Sequence, residues 1–247
     1  MLKVCLNGSR TRSEHPGLPV TPAQLAGAAR AAVEAGADCL HLHPRGVDGA
    51  ESLLAVEVAA AVSAVRQACP GIPVGVSTGL WITARDVTAR RELVRGWVAL
   101  RPAERPDFAS VNLSEPSALE LAAVLREIGI GIEAGVWTTR DARLLGSGPL
   151  PGIIRVLVEI IGVPPEKAVA EADAILQELG DPGVPVLLHG EQEACWPVLR
   201  HALALGLDTR IGLEDTLTGP DGGPVTGNAA LVRGVRELYL GKSYSEG

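Results

Sequence analysis

The 247-residue sequence predicts an α/β chain folded as an eightfold (β/α) TIM barrel with parallel strands, and three observations carry that expectation. Short apolar runs alternate with longer segments whose apolar residues recur every three or four positions, through eight rounds. Hydrophobic residues make up 47% of the chain but aromatics only 3%, so the core is aliphatic, as suits a parallel sheet covered by helices. The turn after the first strand, Leu6-Asn7-Gly8-Ser9, has one glycine where an open dinucleotide-binding sheet needs three, which disfavours the doubly wound alternative. A barrel of this kind closes at roughly 250 residues, so residues 1–247 read as one domain.

The first strand is expected at Lys3–Leu6 and its helix at Thr21–Gly36. Thr21-Pro22-Ala23-Gln24 offers a capping hydroxyl, proline at the first helical position and a reciprocal glutamine, and Gly36 supplies a left-handed stop. Strands two and three fall at Asp38–His43 and Pro73–Ser77, followed by helices at Leu53–Ala68 and Thr83–Leu100. Phe108–Asn112 is strand four, and Ser117 and Gly129 punctuate the helix Ser117–Ile128. Strand five is Gly131–Gly135 with helix Thr138–Leu145, and strand six is Arg155–Ile160 with helix Pro165–Leu179. Gly180-Asp181-Pro182-Gly183 turns the chain into strand seven, Val184–His189, and helix Glu193–Leu205. Strand eight is Thr209–Leu213, the last helix is Asn228–Leu240, and Gly241–Gly247 reads as frayed.

With 22 basic and 29 acidic residues the net charge is -7, which disfavours nucleic acid and anionic membrane surfaces and leaves anionic substrates to local arginines and lysines. No run reaches the roughly 18 apolar residues of a membrane span, and the chain starts in a strand-like segment, so a cytoplasmic location is expected. Cys5, Cys39, Cys69 and Cys195 lack metal spacing and read as reduced, buried packing residues. His15 and His201 read as surface or helix residues, and Trp81, Trp97, Trp137 and Trp196 as packing.

In a barrel the active site lies at the carboxyl ends of the strands. There the sequence places Asn7, His41 with His43, Ser77 with Thr78, Asn112, Glu133, Glu159, His189, and Glu214 with Asp215. His41 and His43 are two apart, so in a strand both imidazoles face inward while Leu42 faces the helices. Glu214, at the end of strand eight, adds a carboxylate to complete a three-ligand site with an open position. Zinc suits these ligands, and manganese, iron or cobalt are alternatives. Strand alternation puts Arg210 on the face of Glu214, where it either orients a carboxylate or forms a structural salt bridge. Asp215 is either a general base or a turn cap. Ser77-Thr78-Gly79 offers hydroxyls and free backbone N–H groups for a substrate carboxylate, or is an ordinary turn. Glu133 and His189 either bind a polar substrate group or pair with neighbours. Arg10 or Arg12 either binds an anionic substrate or a CoA phosphate, or is solvated.

Leu18-Pro19-Val20-Thr21-Pro22, Ala35-Gly36-Ala37 leading to His41-Leu42-His43-Pro44-Arg45, Val76-Ser77-Thr78-Gly79, and Arg210-Ile211-Gly212-Leu213-Glu214-Asp215 together resemble the β-keto acid cleavage enzymes. The resemblance implies zinc on His41, His43 and Glu214, an Arg210–Asp215 base unit, and Ser77 helping to hold the substrate. It also implies a retro-Claisen exchange in which a small β-keto acid and acetyl-CoA give acetoacetate and a new acyl-CoA. The other readings are a CoA-independent metal-dependent lyase or aldolase, and a non-catalytic metal-binding sensor or scaffold. In the loop after strand one, where the family carries a catalytic acid, this chain has Arg10, with Glu14 several residues later. Resemblance and apolar helix surfaces suggest a homo-oligomer, a tetramer.

Overall fold

The computed structural model describes residues 1–146 and 151–243. Eight parallel strands form one sheet in the order β7-β6-β5-β4-β3-β2-β1-β8. They are β1 (Leu2–Cys5), β2 (Cys39–Leu42), β3 (Val74–Ser77), β4 (Phe108–Asn112), β5 (Gly131–Val136), β6 (Ile153–Ile160), β7 (Val186–Gly190) and β8 (Thr209–Ile211). The two ends of this order meet: Leu188 N–H donates to Asp208 O at 2.9 Å, and Thr209 Oγ1 donates to Leu188 O at 2.9 Å. The sheet is thereby a nearly closed barrel, which removes the exposed edges an open sheet would present.

The crossover helices are α1 (Pro22–Glu34), α2 (Ala55–Ala68), α3 (Val87–Arg95), α4 (Ala118–Glu127), α5 (Thr139–Gly146), α6 (Pro165–Leu179), α7 (Cys195–Ala204) and α8 (Asn228–Ser243). Thr21 caps α1 in the expected reciprocal box with Gln24. Leu25, Ala29 and Ala32 of α1 and Val58, Ala61, Val62 and Val65 of α2 are buried, and small side chains of this kind let the helices lie close to the sheet.

Several boundaries differ from expectation for local reasons. The segment expected as one helix over Thr83–Leu100 is a short 3-10 turn at Leu80–Thr83, then α3, then a second 3-10 turn at Gly96–Ala99. Ala84 and Arg85 are left-handed (φ 48° and 69°), which breaks the helix, and Asp86 restarts it by accepting from Thr88 and Ala89 N–H at 2.9 Å. Ser117 does not cap α4, because its backbone is left-handed (φ 58°). Gly241–Ser243, expected to fray, continues α8, and residues 244–247 lie outside the described residues. β8 ends at Ile211 rather than Leu213: Gly212 packs directly on the β1 backbone, where an added methyl would lie 1.9 Å from Cys5 O. Leu213, Glu214 and Asp215 therefore form a turn above the strand.

Candidate active site

Asn7, just past β1, ties the site to the barrel. Its Oδ1 accepts from His43 N–H and its Nδ2 donates to His43 O, both at 2.9 Å, so one buried amide fixes the end of β2. His41 and His43 project to the same side, and Glu214 reaches them from the turn after β8. Glu214 Oε2 lies 3.9 Å from His41 Nε2 and 3.5 Å from His43 Nε2, and one donor atom from each residue lies within 4.8 Å of the others. Glu214 Oε2 is buried and accepts no hydrogen bond, so an acceptor is aimed into the space between two imidazoles with nothing to satisfy it. Two imidazoles and one carboxylate in this arrangement can hold one divalent cation.

Cys5 also lies beside Glu214 and Asp215, close enough for the three to share a cation, and burial pushes its thiol well above the usual cysteine range. The four cysteines are buried and free.

The charges of the ligands follow from their surroundings. Burial, reinforced by the positive charges of His43, Lys3 and Arg210, lowers His41 to about 3, so it offers a neutral nitrogen. Burial opposes protonation of His43 too, but the carboxylates of Glu214 and Glu51 outweigh it and hold His43 up at about 9, and a cation bound at its Nε2 would displace that proton. Arg210 and the two histidines overcome burial at Glu214 and hold its carboxyl well below the usual range.

Arg210 is the hub of the wall beneath. Its Nη2 donates to Glu214 Oε1 at 3.0 Å and to Asp215 Oδ1 at 2.7 Å, its Nε donates to Asp215 Oδ1 at 3.0 Å, and its Nη1 lies 3.6 Å from Glu159 Oε2. The pairing of Arg210 with Glu214 is as expected, but it arises from the turn, since Glu214 is not in the strand. Asp215 is fully buried behind Arg210, which pulls its pKa down, yet burial and the neighbouring Glu214 raise it on balance. Its Oδ2 has no partner, and its side chain caps no turn.

A cavity of about 240 Å³ opens over this centre, lined by the three candidate ligands, Arg210, Ser77, Asn112, Arg10 and several other side chains. Arg10 pairs with Glu14 at 3.1 Å, and its Nε and Nη2 are buried without partners, which leaves donors for an anion. Other expected residues do not line the cavity. Thr78 Oγ1 turns away to Ser110 O, and Gly79 N–H, expected to be free, donates to Ser77 Oγ at 3.2 Å. His189 lies behind the wall, its Nε2 3.0 Å from Glu159 Oε2 and its Nδ1 3.6 Å from Asp215 Oδ1. Glu133 is too early in β5 to reach the mouth. It is fully buried inside the barrel against Lys3 at 2.5 Å and Arg155 at 2.7 Å, and these cations hold it down at about 2 against the effect of burial.

The structure also adds residues. Trp81 and Trp137, read as packing from sequence, line the cavity, whereas Trp97 and Trp196 pack as expected. Trp137 Nε1 donates to Glu159 Oε1 at 2.9 Å. Glu191 also lines the cavity. Its burial, reinforced by Asp215, Glu159 and Glu214 against the opposing Arg210, pushes it up to about 8. Glu191 is the first residue past the carboxyl end of β7, a position that marks it as a residue of the mouth. Glu51 accepts from His43 Nδ1, and no local pattern in the sequence signals that contact. His15, read as a surface or helix residue, is buried, with its Nε2 2.9 Å from Val225 O.

Fold and site together define a class: a (β/α) barrel with a two-histidine, one-carboxylate centre at the carboxyl ends of its strands. The chain belongs to the beta-keto acid cleavage enzyme family, whose sequence model it matches over residues 1–241. It is 35% identical over 112 residues to the 3-oxoadipate:acetyl-CoA acetyltransferase of Cupriavidus necator, a match taking in 45% of this chain and 36% of that protein. Among solved structures it resembles ObcA in a ternary complex with a C4-CoA adduct and oxalate, with TM-score 0.72 and 20% identity over 92% of this chain and 65% of that one. The 3-dehydroquinate dehydratase of Geobacillus kaustophilus shares the fold at TM-score 0.64 and 12% identity over 96% of this chain and 91% of that one. The chain thus spans about a third of the curated relative it matches and about two thirds of ObcA. No helix among the described residues is long and apolar enough to cross a membrane.

Proposed function

We propose that this chain is a zinc-dependent β-keto acid cleavage enzyme that exchanges a small β-keto acid with acetyl-CoA, giving acetoacetate and a new acyl-CoA. The observation that carries the reading is the unsatisfied Glu214 Oε2 facing two imidazole Nε2 atoms, with the Arg210–Asp215 pair directly behind it. His41, His43 and Glu214 would hold the cation, and a bound divalent ion would polarise the substrate carbonyl and carboxylate. Family membership supports this chemistry, as does the name of the Cupriavidus relative.

The chain's own residues divide the remaining work. Arg10, with buried donors free, and Ser77, on the cavity wall, receive the anionic end of the substrate. Asn112 faces the same space, while Thr78, Gly79 and His189 support it from behind and Glu133 from below. Arg210 and Asp215 act as the acid–base unit: the raised pKa of Asp215 suits it to take a proton, and Arg210 connects it to the cavity. The proton leaves the carbon between the carbonyl and the carboxylate. That carbon then attacks the acetyl thioester carbonyl and releases CoA thiolate. The thiolate attacks the original ketone, the bond from that ketone to the α-carbon breaks, and the α-carbon regains a proton as acetoacetate.

The wider reading is one domain over residues 1–247 in the cytoplasm, assembled as a homo-oligomer. The exposed Val47, Leu54 and Val56 offer apolar surface for such an assembly, a tetramer being the state expected, and light scattering on the purified protein measures it. The central test is to incubate zinc-loaded protein with a panel of β-keto acids, with and without acetyl-CoA, and to assay acetoacetate. Acetoacetate formed only with acetyl-CoA is expected. Keto acid consumption without CoA would establish a lyase, and metal and substrate binding without turnover would establish the sensor reading.

A further inference from the structure

Glu51 lies outside the ligand set, in the loop between β2 and α2, yet both of its carboxylate oxygens are committed. Oε1 accepts from His43 Nδ1 and Oε2 accepts from Trp81 Nε1 at 2.9 Å. The two donors come from different parts of the barrel: His43 follows β2, and Trp81 lies in the 3-10 turn after β3. The loop that carries Glu51 is itself fixed. It closes on itself through Gly46 N–H to Ala50 O at 2.8 Å and Ser52 N–H to Pro44 O at 2.9 Å, and Arg45 and Glu51 form an antiparallel bridge. Trp81 is equally constrained. Its ring stacks on His43 with centroids 6.3 Å apart and planes 26° from parallel, and it fills the space above Gly79, where an added methyl would lie 2.2 Å from the indole. Even so, Trp81 is 43% exposed and lines the cavity.

A histidine whose Nδ1 donates a hydrogen bond presents the lone pair of Nε2, and the bond also fixes the plane of the ring. Glu51 acts on the nitrogen opposite the one that faces Glu214. It cannot be a ligand itself, because its oxygens bond the far side of the imidazole and the indole.

We infer that Glu51 is a positioning residue for the metal centre, which fixes the tautomer and orientation of His43 and holds Trp81 against it as a wall of the cavity. This rests on the metal reading proposed above and assigns a role to a residue outside the ligand set.

The test uses the full chain as purified, stripped of metal with a chelator and titrated with Zn²⁺ against a chromophoric competitor, with Co²⁺ absorption as a record of ligand geometry. Glu51→Ala is expected to weaken Zn²⁺ binding roughly 10–100-fold and to change the Co²⁺ spectrum. Glu51→Gln keeps the shape of the side chain and one acceptor oxygen, so it can serve only one of the two donors and is expected to fall between wild type and Glu51→Ala. It also keeps the proposal testable if the alanine variant folds poorly. Trp81→Phe retains the Glu51–His43 bond, so its Zn²⁺ affinity is expected to stay within about threefold of wild type, with the Co²⁺ spectrum unchanged. A purely structural role for Glu51 would lower the urea midpoint without altering the Co²⁺ spectrum. Wild-type Zn²⁺ affinity and an unchanged Co²⁺ spectrum in both Glu51 variants would overturn this inference alone. Failure of the wild-type chain to bind Zn²⁺ would overturn the metal reading together with it.

Discussion

Replacing Gly8 with alanine isolates the geometric demand of the metal centre. Gly8 follows β1 with φ +58°, a conformation that costs an L-residue about 1–2 kcal/mol. The larger effect is steric. The new methyl would lie 2.5 Å from Glu214 Cγ and 2.9 Å from its Cβ. Carbon atoms in ordinary contact stay about 3.5–4.0 Å apart, so Glu214 must retreat by roughly 1 Å. A coordination site tolerates only about 0.2 Å of error in a ligand distance, so the carboxylate is lost from the centre while His41 and His43 stay. Disturbing an outer partner of a metal ligand costs about 10–100-fold in affinity, and displacing an anionic ligand costs at least the upper end, about 100-fold or 2.7 kcal/mol. Stability is expected to fall by roughly 2–5 kcal/mol from backbone strain and overpacking together. Zinc titration against a chromophoric chelator reads the first quantity and urea denaturation the second. The control is Gly71→Ala: Gly71 also has positive φ (+81°), but no atom lies within 4 Å of the added methyl, so it loses stability and keeps zinc affinity. If folded Gly8→Ala binds zinc within threefold of wild type, Glu214 is not a ligand.

Removing ligands directly gives a coarser version of the same test. His41→Ala and Glu214→Ala are expected to lose most of their metal by elemental analysis while remaining folded by circular dichroism, since both residues lie at the mouth rather than in the aliphatic layers; full occupancy in both would contradict the assignment. Asp215→Asn keeps an Oδ1 acceptor for Arg210, so it should retain metal and fold yet lose turnover by two or more orders of magnitude; wild-type turnover would remove Asp215 from the acid–base unit. Glu191, raised from 4.5 to about 8, stays protonated in the folded chain over a range where the unfolded chain has released that proton. Its contribution to stability is therefore full below about pH 4.5, declines as pH rises, and is lost above about pH 8, by a few kcal/mol at most. Urea denaturation at pH 5 and pH 8.5 should show this decline reduced in Glu191→Gln; an identical decline in both proteins would mean that Glu191 is not buried in its acid form.

Much of the architecture was legible in the sequence because it is governed by local periodicity. Alternating apolar runs and amphipathic helices located all eight strands to within two residues at each end, and the Thr21 capping box was readable from four consecutive residues. His41 and His43 could be placed on one face because a strand repeats every second residue. The same rule failed just beyond the strands. It extended the alternation of β8 to Glu214, although the strand stops where Gly212 meets the β1 backbone, and it carried Glu133 to the mouth although its place in β5 leaves it inside the barrel.

The sequence by itself determined the barrel, the aliphatic core and the residue types that could share a cation, since each depends on spacing within one short segment. Only the tertiary structure decided which side chains meet. Glu51 reaches His43 through a loop, Trp81 turns from packing to lining the cavity, and His189 withdraws behind Glu159 and Asp215. The reason is physical: a strand's period fixes the direction of its side chains, whereas the loops at the mouth take their direction from hydrogen bonds to partners far away in the chain.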